Sequence, residues 1–428
     1  MNKRLKLAGI GCGGRTRTYM MLAARMPQYY EVVAGADPNE ERLRQTKDIS
    51  CNPNFRCFKD DREILSQPKL ADVMIIGTQD SFHAEPCIRA MEKGYDILLE
   101  KPIATSISDV IALERMAVKL GRKVLVCHVL RYTPFYTKVK DIVDSSALGN
   151  IATLNASEGV DPWHQTHSYV RGHWAVTANA TPMIVAKSCH DMDIISWLIG
   201  RKCETVSSFG SLTHFTFANA PKGAPERCVK GCPVGQSCPY NAMHYLGRHR
   251  RWLQYVFDHG KTASDEEIIE WLAKSPWGRC VYRCDNTAVD RQVVAMAFEG
   301  SANATFTMTA FSQGRNIEIC GTKAVLRGGE FTKQNLGCDI IVSDHATGDA
   351  AKYSVNADVG GYAGHSGGDP GLVMNLHEEM SKDDPAQMRS SITQSLQSHL
   401  MGYAAEESRL SGKTIDLNEF LLKNSRMQ

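Results

Sequence analysis

Short, fully apolar runs alternate with segments of helical periodicity over the first 130 residues. The runs lie at 5–10, 31–36, 73–77, 97–99 and 123–128, and helical patterns fill 19–26, 40–46, 83–93 and 108–120 between them. Strands apolar on both faces, each followed by a helix, predict a parallel doubly wound sheet, an α/β domain over 1–130. The pattern then changes. Longer runs at 151–158, 204–217, 291–298, 302–311 and 316–327 alternate apolar and polar positions, and the later ones have no helix between them. They predict a second, α+β domain over 131–428 built on an open, predominantly antiparallel sheet. A helix is expected over 184–198 and a last one over 388–411. Residues 218–290, first Pro- and Cys-rich and then helical and Trp-rich, read as an insertion, and the Gly- and Asp-rich stretch 345–371 as a loop.

Composition narrows the function classes. The 428 residues are 43% apolar and 22% charged, with a formal net charge of +2, which gives no electrostatic reason to expect nucleic acid or a membrane surface as partner. No apolar run approaches bilayer length. The N-terminus enters its first strand at once, leaving no room for a signal-peptide core. The 14 cysteines are spread through a large chain, several in apolar segments. They fit buried, reduced thiols and a cytoplasmic protein.

Gly9-x-Gly11-x-x-Gly14 follows the first strand and opens a helix. In a nucleotide-binding Rossmann turn the first glycine makes the bend, the second admits a pyrophosphate and the third lets helix and strand pack. Cys12, Gly13 and Arg15 belong to the same turn. Asp37 ends the next strand, where a carboxylate bonds the adenosine ribose and disfavours a 2′-phosphate. NAD is therefore expected, with NADP left open by Arg15 and Arg42. Thr78 and His83 lie at the carboxyl edge of the sheet, where ligands collect; His83 either contacts the cofactor or caps a helix. Glu100-Lys101-Pro102 closes an apolar strand at that edge, so Lys101 is delivered toward the cofactor.

These residues, with Arg131 and Pro134, the His190-Asp191-Met192-Asp193 segment and the closing Ala404-Ala405-Glu406-Glu407-Ser408-Arg409, resemble the Gfo/Idh/MocA family of sugar and inositol oxidoreductases. The resemblance runs nearly end to end, apart from the insertion. It implies a lysine at Lys101 that reaches both nicotinamide and substrate hydroxyl, a histidine at His190 that exchanges the proton, and assembly into dimers or tetramers. The chain departs from the family pattern at Ala186, where an aspartate is expected four residues before the histidine. Lys187 beside it is a candidate to bind the hydroxyl, or to act as base if its pKa is lowered by burial and by Lys101.

Trp163, His164, His167, Arg171 and Trp174 form a dense aromatic and imidazole segment suited to a sugar, and His365 sits in a glycine-rich loop able to close over a polyhydroxy ligand. Either segment is equally readable as an interdomain or flexible loop. Cys228, Cys232 and Cys238, with Cys280 as a fourth ligand, suggest a structural zinc; packed free thiols are the alternative. The functional expectation is a hydride transfer between NAD(P) and a secondary hydroxyl of a sugar or cyclitol. Redox-assisted glycoside cleavage and a non-catalytic sugar sensor are the alternatives.

Overall fold

The apolar run Leu5–Ile10 forms β1, the centre of a six-stranded parallel sheet. It is joined by β2 (Tyr30–Ala36), β3 (Arg56–Phe58), β4 (Val73–Ile76), β5 (Asp96–Leu99) and β6 (Val124–Val126) in the order β3-β2-β1-β4-β5-β6. The structure is a computed structural model describing residues 3–257, 260–358 and 364–426. Ile75, Leu98 and Leu125 are wholly buried, as strands covered on both faces must be. The chain leaves β1 for β2 on one side and returns to β4 on the other. The carboxyl ends of β1 and β4 therefore frame a topological switch point, where α/β sheets bind ligands. The edge strand β3 was not expected: Arg56 and Cys57 are exposed and carry no apolar signal.

The second sheet has nine strands in the order β14-β13-β12-β11-β7-β10-β9-β8-β15. They are β7 (Ile151–Val160), β8 (Cys203–Ser211), β9 (Arg291–Phe298), β10 (Ala302–Thr309), β11 (Gln313–Gly321), β12 (Ala324–Gly329), β13 (Ile340–Asp344), β14 (Ala350–Tyr353) and β15 (Ile415–Asp416). β7 and β10 pair in parallel and the other neighbours antiparallel. The expected strand over 316–327 is in fact β11 and β12, folded back at Thr322-Lys323. The expected loop over 345–371 contains β14 and the start of a helix, Gly368–Ser381; residues 359–363 of it lie outside the described residues.

Helices cover the inner face of this sheet. Cys189–Ile199 and Ile392–Ser411 pack on each other, and the latter on β8; Ser391 caps it by accepting from the Gln394 N–H. The helix expected over 184–198 is broken: Met183–Ala186 and Cys189–Ile199 flank a two-residue interruption at Lys187-Ser188. The late helix Gly368–Ser381 returns to the first sheet. Leu372, Val373 and Leu376 share one buried cluster with Leu7, Tyr30, Leu98 and Leu125. Tyr30 Oη donates to the Val373 carbonyl at 2.7 Å and accepts from the His377 N–H at 2.8 Å. The insertion has a small core of its own that includes Trp163, Tyr245, Leu253, Leu272 and Trp277. Among the described residues no helix is long and apolar enough to cross a membrane.

Candidate active site

The glycine turn is shaped by what its side chains would strike. A Cβ at Gly9 would meet Met20 Cε at 2.6 Å and Thr16 Cγ2 at 2.9 Å, so this glycine, and not the third, lets helix α1 (Gly14–Ala24) pack on the sheet. Gly11 has φ +80°, and its Cβ would lie 2.7 Å from the Thr78 backbone N. Gly13 and Gly14 face open space: their nearest neighbours would be Gly77 O at 3.9 Å and Tyr255 Cδ1 at 4.0 Å. The N-terminus of α1 has no side-chain cap and no acidic residue in its first turn. Open glycines before an uncapped helix start form a cradle that fits a pyrophosphate. Asp37 is buried at the end of β2; its Oδ2 accepts from the Cys12 N–H at 2.8 Å and its Oδ1 from the Asn39 N–H at 2.9 Å. Each oxygen retains a lone pair for ribose hydroxyls.

Arg15 turns away from this cradle. Its guanidinium pairs with Glu100 at 3.0 Å and Asp369 at 2.6 Å, and contacts His365 Nδ1 at 3.2 Å. Glu100 also accepts from Tyr19 Oη at 2.6 Å and from the Lys101 N–H at 3.0 Å. Burial alone would raise its carboxyl; Arg15 and Lys101 more than reverse this and hold it below the ordinary glutamate range. His83 is buried beneath Lys101-Pro102: its Nδ1 bonds the Pro102 carbonyl at 2.8 Å and its Nε2 lies 3.2 Å from the Thr78 carbonyl. It thus ties together the two loops that border the switch point. Thr78 Oγ1 donates to the Phe82 carbonyl within its own turn.

Lys101 reaches across to the second domain, where its Nζ donates to the Ala186 carbonyl at 3.1 Å. His190 follows one helical turn later. It is 5% exposed, its Nδ1 has no hydrogen-bond partner among the described residues, and its ring lies 5.8 Å from His128 and 6.4 Å from His365. Burial, then the charge of Lys101, keep its imidazole neutral far below the usual histidine range. A neutral imidazole beside an ammonium is a proton acceptor beside an oxyanion stabiliser. The interruption at Lys187-Ser188 lets Lys187 pair with Glu158 of β7 at 2.9 Å. Arg315 bridges Glu158 and Asp191, lying 2.7 Å from the latter. Burial and the neighbouring Glu158 lift the Asp191 carboxyl to about 7, although Arg315 opposes this. Lys187 is therefore half of an ion pair with Glu158.

The other expected contacts divide. His164 packs against Trp252 and Tyr169, with ring centroids 4.9 and 6.1 Å away, and burial, then the charge of Lys187, depresses its basicity. Trp174 Nε1 donates to Asp80 at 2.7 Å, clasping the nucleotide domain. Trp163 is buried and stacks on His249 at 3.9 Å. His167 Nδ1 bonds Tyr245 Oη at 2.5 Å, so both residues serve the insertion's core. Arg171 donates to the Arg279 and Tyr240 carbonyls at 2.8 and 2.7 Å. Arg131, expected at the substrate, is 2% exposed and grips Asp193 through two bonds of 2.7 Å; it is a buried structural ion pair. The zinc expectation is not supported: among the described residues no three His, Cys, Asp or Glu side chains are arranged to hold a metal. Cys228, Cys232, Cys238 and Cys280 line one small pocket with Arg171. The guanidinium lies 3.8 Å from Cys228 Sγ, putting positive charge where a cation would go. Burial raises the Cys238 and Cys280 thiols, which disfavours the thiolates a metal needs.

Comparison with known proteins settles the family. Residues 5–128 match the model of an oxidoreductase family's NAD-binding Rossmann fold, and residues 140–417 match that of its C-terminal alpha/beta domain. The chain belongs to the Gfo/Idh/MocA oxidoreductase family. Among its relatives, the Bacillus subtilis protein YteT, an oxidoreductase by name, is 22% identical over 382 residues, 85% of this chain and 87% of that one. The inositol 2-dehydrogenase of Streptomyces avermitilis is 24% identical over 224 residues, covering 52% of this chain and 60% of the relative. An Agrobacterium radiobacter oxidoreductase in complex with NAD+, L-tartaric acid and magnesium superposes with a TM-score of 0.69 at 16% identity, over 98% of this chain and 100% of the other. The scyllo-inositol dehydrogenase of Lactobacillus casei, with bound NAD(H) and scyllo-inositol, gives 0.64 at 16% identity, over 97% and 100%. At these identities the structural likeness is one of fold.

Within this Gfo/Idh/MocA chain, sequence reasoning passed over several residues of the centre. Glu158 reads only as a strand position, and Arg315 stands just before the run at 316–327 with no motif around it. Tyr19 and Asp369 are polar residues inside helices, brought to Arg15 by tertiary packing alone. Asp80, in the turn between Thr78 and His83, is the acceptor for Trp174.

Proposed function

We propose that this oxidoreductase transfers a hydride between NAD and a secondary hydroxyl or keto group of a sugar, sugar derivative or cyclitol. The observation that carries the reading is the approach of Lys101 Nζ, from the end of β5, to Ala186 O four residues before His190. It brings the nucleotide edge and the candidate base into one centre. Gly13 and Gly14, on the turn shaped by Gly9, Gly11 and Cys12, would hold the pyrophosphate and Asp37 the ribose, which favours NAD over NADP. When bound, nicotinamide supplies the hydride acceptor or donor. Lys101 directs one ammonium proton to Ala186 and keeps two for the substrate oxygen, stabilising charge as it develops there. The neutral His190 imidazole takes the hydroxyl proton, and Lys187, held by Glu158, donates to a neighbouring hydroxyl. The inositol dehydrogenases among the relatives support a polyhydroxylated substrate.

Assembly into a homo-oligomer fits the open face of the nine-stranded sheet, where Phe209 and its register partner Val293 are exposed. Fourteen unpaired cysteines fit a reducing, cytoplasmic setting. The test is a scan of cyclitols, aldoses, sugar acids and aryl glycosides with NAD and NADP, following NADH absorbance and aglycone release together. Stoichiometric NADH from one polyol class is the expected result. Aglycone release that needs cofactor but yields no net NADH would replace the reading with redox-assisted cleavage.

A further inference from the structure

The insertion does not stand apart from the cofactor site. Tyr255 Cδ1 is the atom that a side chain at Gly14 would meet, at 4.0 Å, so the ring stands beside the open cradle at the start of α1. It is 63% exposed, although Leu253, two residues before it, is buried in the insertion's core and fixes the segment. From Tyr255 a row of rings leads toward the reaction centre. Trp252 lies 6.1 Å from Tyr255 and 4.9 Å from His164. Tyr169 continues the row, 6.1 Å from His164 and 5.9 Å from Trp174. At the same edge, Trp174 is bonded to Asp80 of the nucleotide domain.

We infer that the insertion forms a third wall of the cofactor site, in which Tyr255 covers the phosphate-binding turn and makes NAD a slowly exchanging, resident group. This rests on the NAD-binding reading above. An aromatic ring left in solvent beside an uncapped helix start gains packing only when a bound group fills the space between them. Release then requires the ligand to pass a wall anchored in a packed core, which slows dissociation more than association. Retention slows the release of oxidised and reduced cofactor alike, so it sets an upper limit on turnover with free NAD.

The experiment measures NAD dissociation from the full-length protein, by dilution and rapid ultrafiltration, for wild type, Tyr255→Ala and Tyr255→Phe. Tyr255→Ala is expected to release NAD roughly five- to tenfold faster, the scale of one aromatic contact. Tyr255→Phe should stay within about twofold of wild type, because the ring provides the cover. The exposure of Tyr255 lets both variants fold as the wild type does, and equal melting temperatures without ligand check this. Equal release rates in wild type and Tyr255→Ala would overturn the inference and leave the NAD reading intact. Failure of the wild type to bind NAD or NADP at all would overturn both.

Discussion

Glu158, on β7, meets Lys187 at 2.9 Å across the interruption between two helices. The carboxylate that the family pattern leads one to expect at Ala186 is absent from the helix, and one arrives from the sheet instead. Glu158 is held below the ordinary glutamate range, to about 2: burial opposes this, and Arg315 and Lys187 prevail. Replacing it by Gln removes the carboxylate that Lys187 and Arg315 share and leaves Arg315 with Asp191. Glu158→Gln should cost about 3 kcal/mol of stability, as loss of one partner from a buried network does. Urea denaturation reads this directly, and an unchanged midpoint would refute the role assigned to the pair.

Lys101→Ala should lower kcat by about 10²–10³-fold, the usual loss on removing an oxyanion donor. NAD affinity should change little, because the glycine turn and Asp37 are untouched. Steady-state kinetics with calorimetric NAD titration separate the two effects. A variant retaining the wild-type rate would remove Lys101 from the chemistry.

Gly11→Ala forces a Cβ to within 2.7 Å of Thr78 N at a φ of +80°. The left-handed conformation alone costs about 1–2 kcal/mol, and relief of the clash must open the switch point. Weaker NAD binding together with a lower melting temperature is expected. Gly94, with φ +86° and nothing within 4 Å of its Cβ, is the control: Gly94→Ala should cost stability only.

Arg131→Ala should destabilise the fold by about 3–5 kcal/mol by leaving Asp193 buried without its partner. In the folded fraction KM should be close to wild type. A large rise in KM with stability unchanged would restore Arg131 to the substrate site.

Acid should unfold the protein early. His128, His164, His167, His190 and His399 are all held below the ordinary 6.5 by burial first and nearby charge second, His167 and His399 to about 3. Their native pKa values are depressed, so their contribution is fully present above 6.5 and is lost as pH falls toward 3. Each adds up to about 1.4 kcal/mol per pH unit in that window. Asp191, raised to about 7, and Asp193, also raised by burial, work in the opposite direction but are two groups against five. The urea midpoint should hold between about pH 8 and 7 and fall steadily below about 6.5; a midpoint that climbs on acidification contradicts this.

Much of the nucleotide end was legible because its signals are local. The glycines, Asp37 and Glu100-Lys101-Pro102 each sit on a strand end whose apolar run is plain in the sequence. The second domain was harder to read. β13 and β14 are short and partly exposed, and Lys187-Ser188 carries no proline or glycine to announce a helix break. Arg131 misled because a charged residue in a family motif reads as a ligand contact, whereas its partner Asp193 lies 62 residues away. Trp163, His167 and Arg171 misled for a related reason: sugar-binding residue types also build a small aromatic core when a distant insertion folds onto them.

The return of Gly368–Ser381 to the first sheet bears on how the chain is made. Tyr30, Leu98 and Leu125 emerge from the ribosome long before Leu372, Val373 and Leu376, which complete their buried cluster. Throughout most of synthesis the nascent nucleotide domain must carry an uncovered apolar face. Its final closure therefore comes late in synthesis, and a chain stopped after residue 130 would keep that apolar face uncovered.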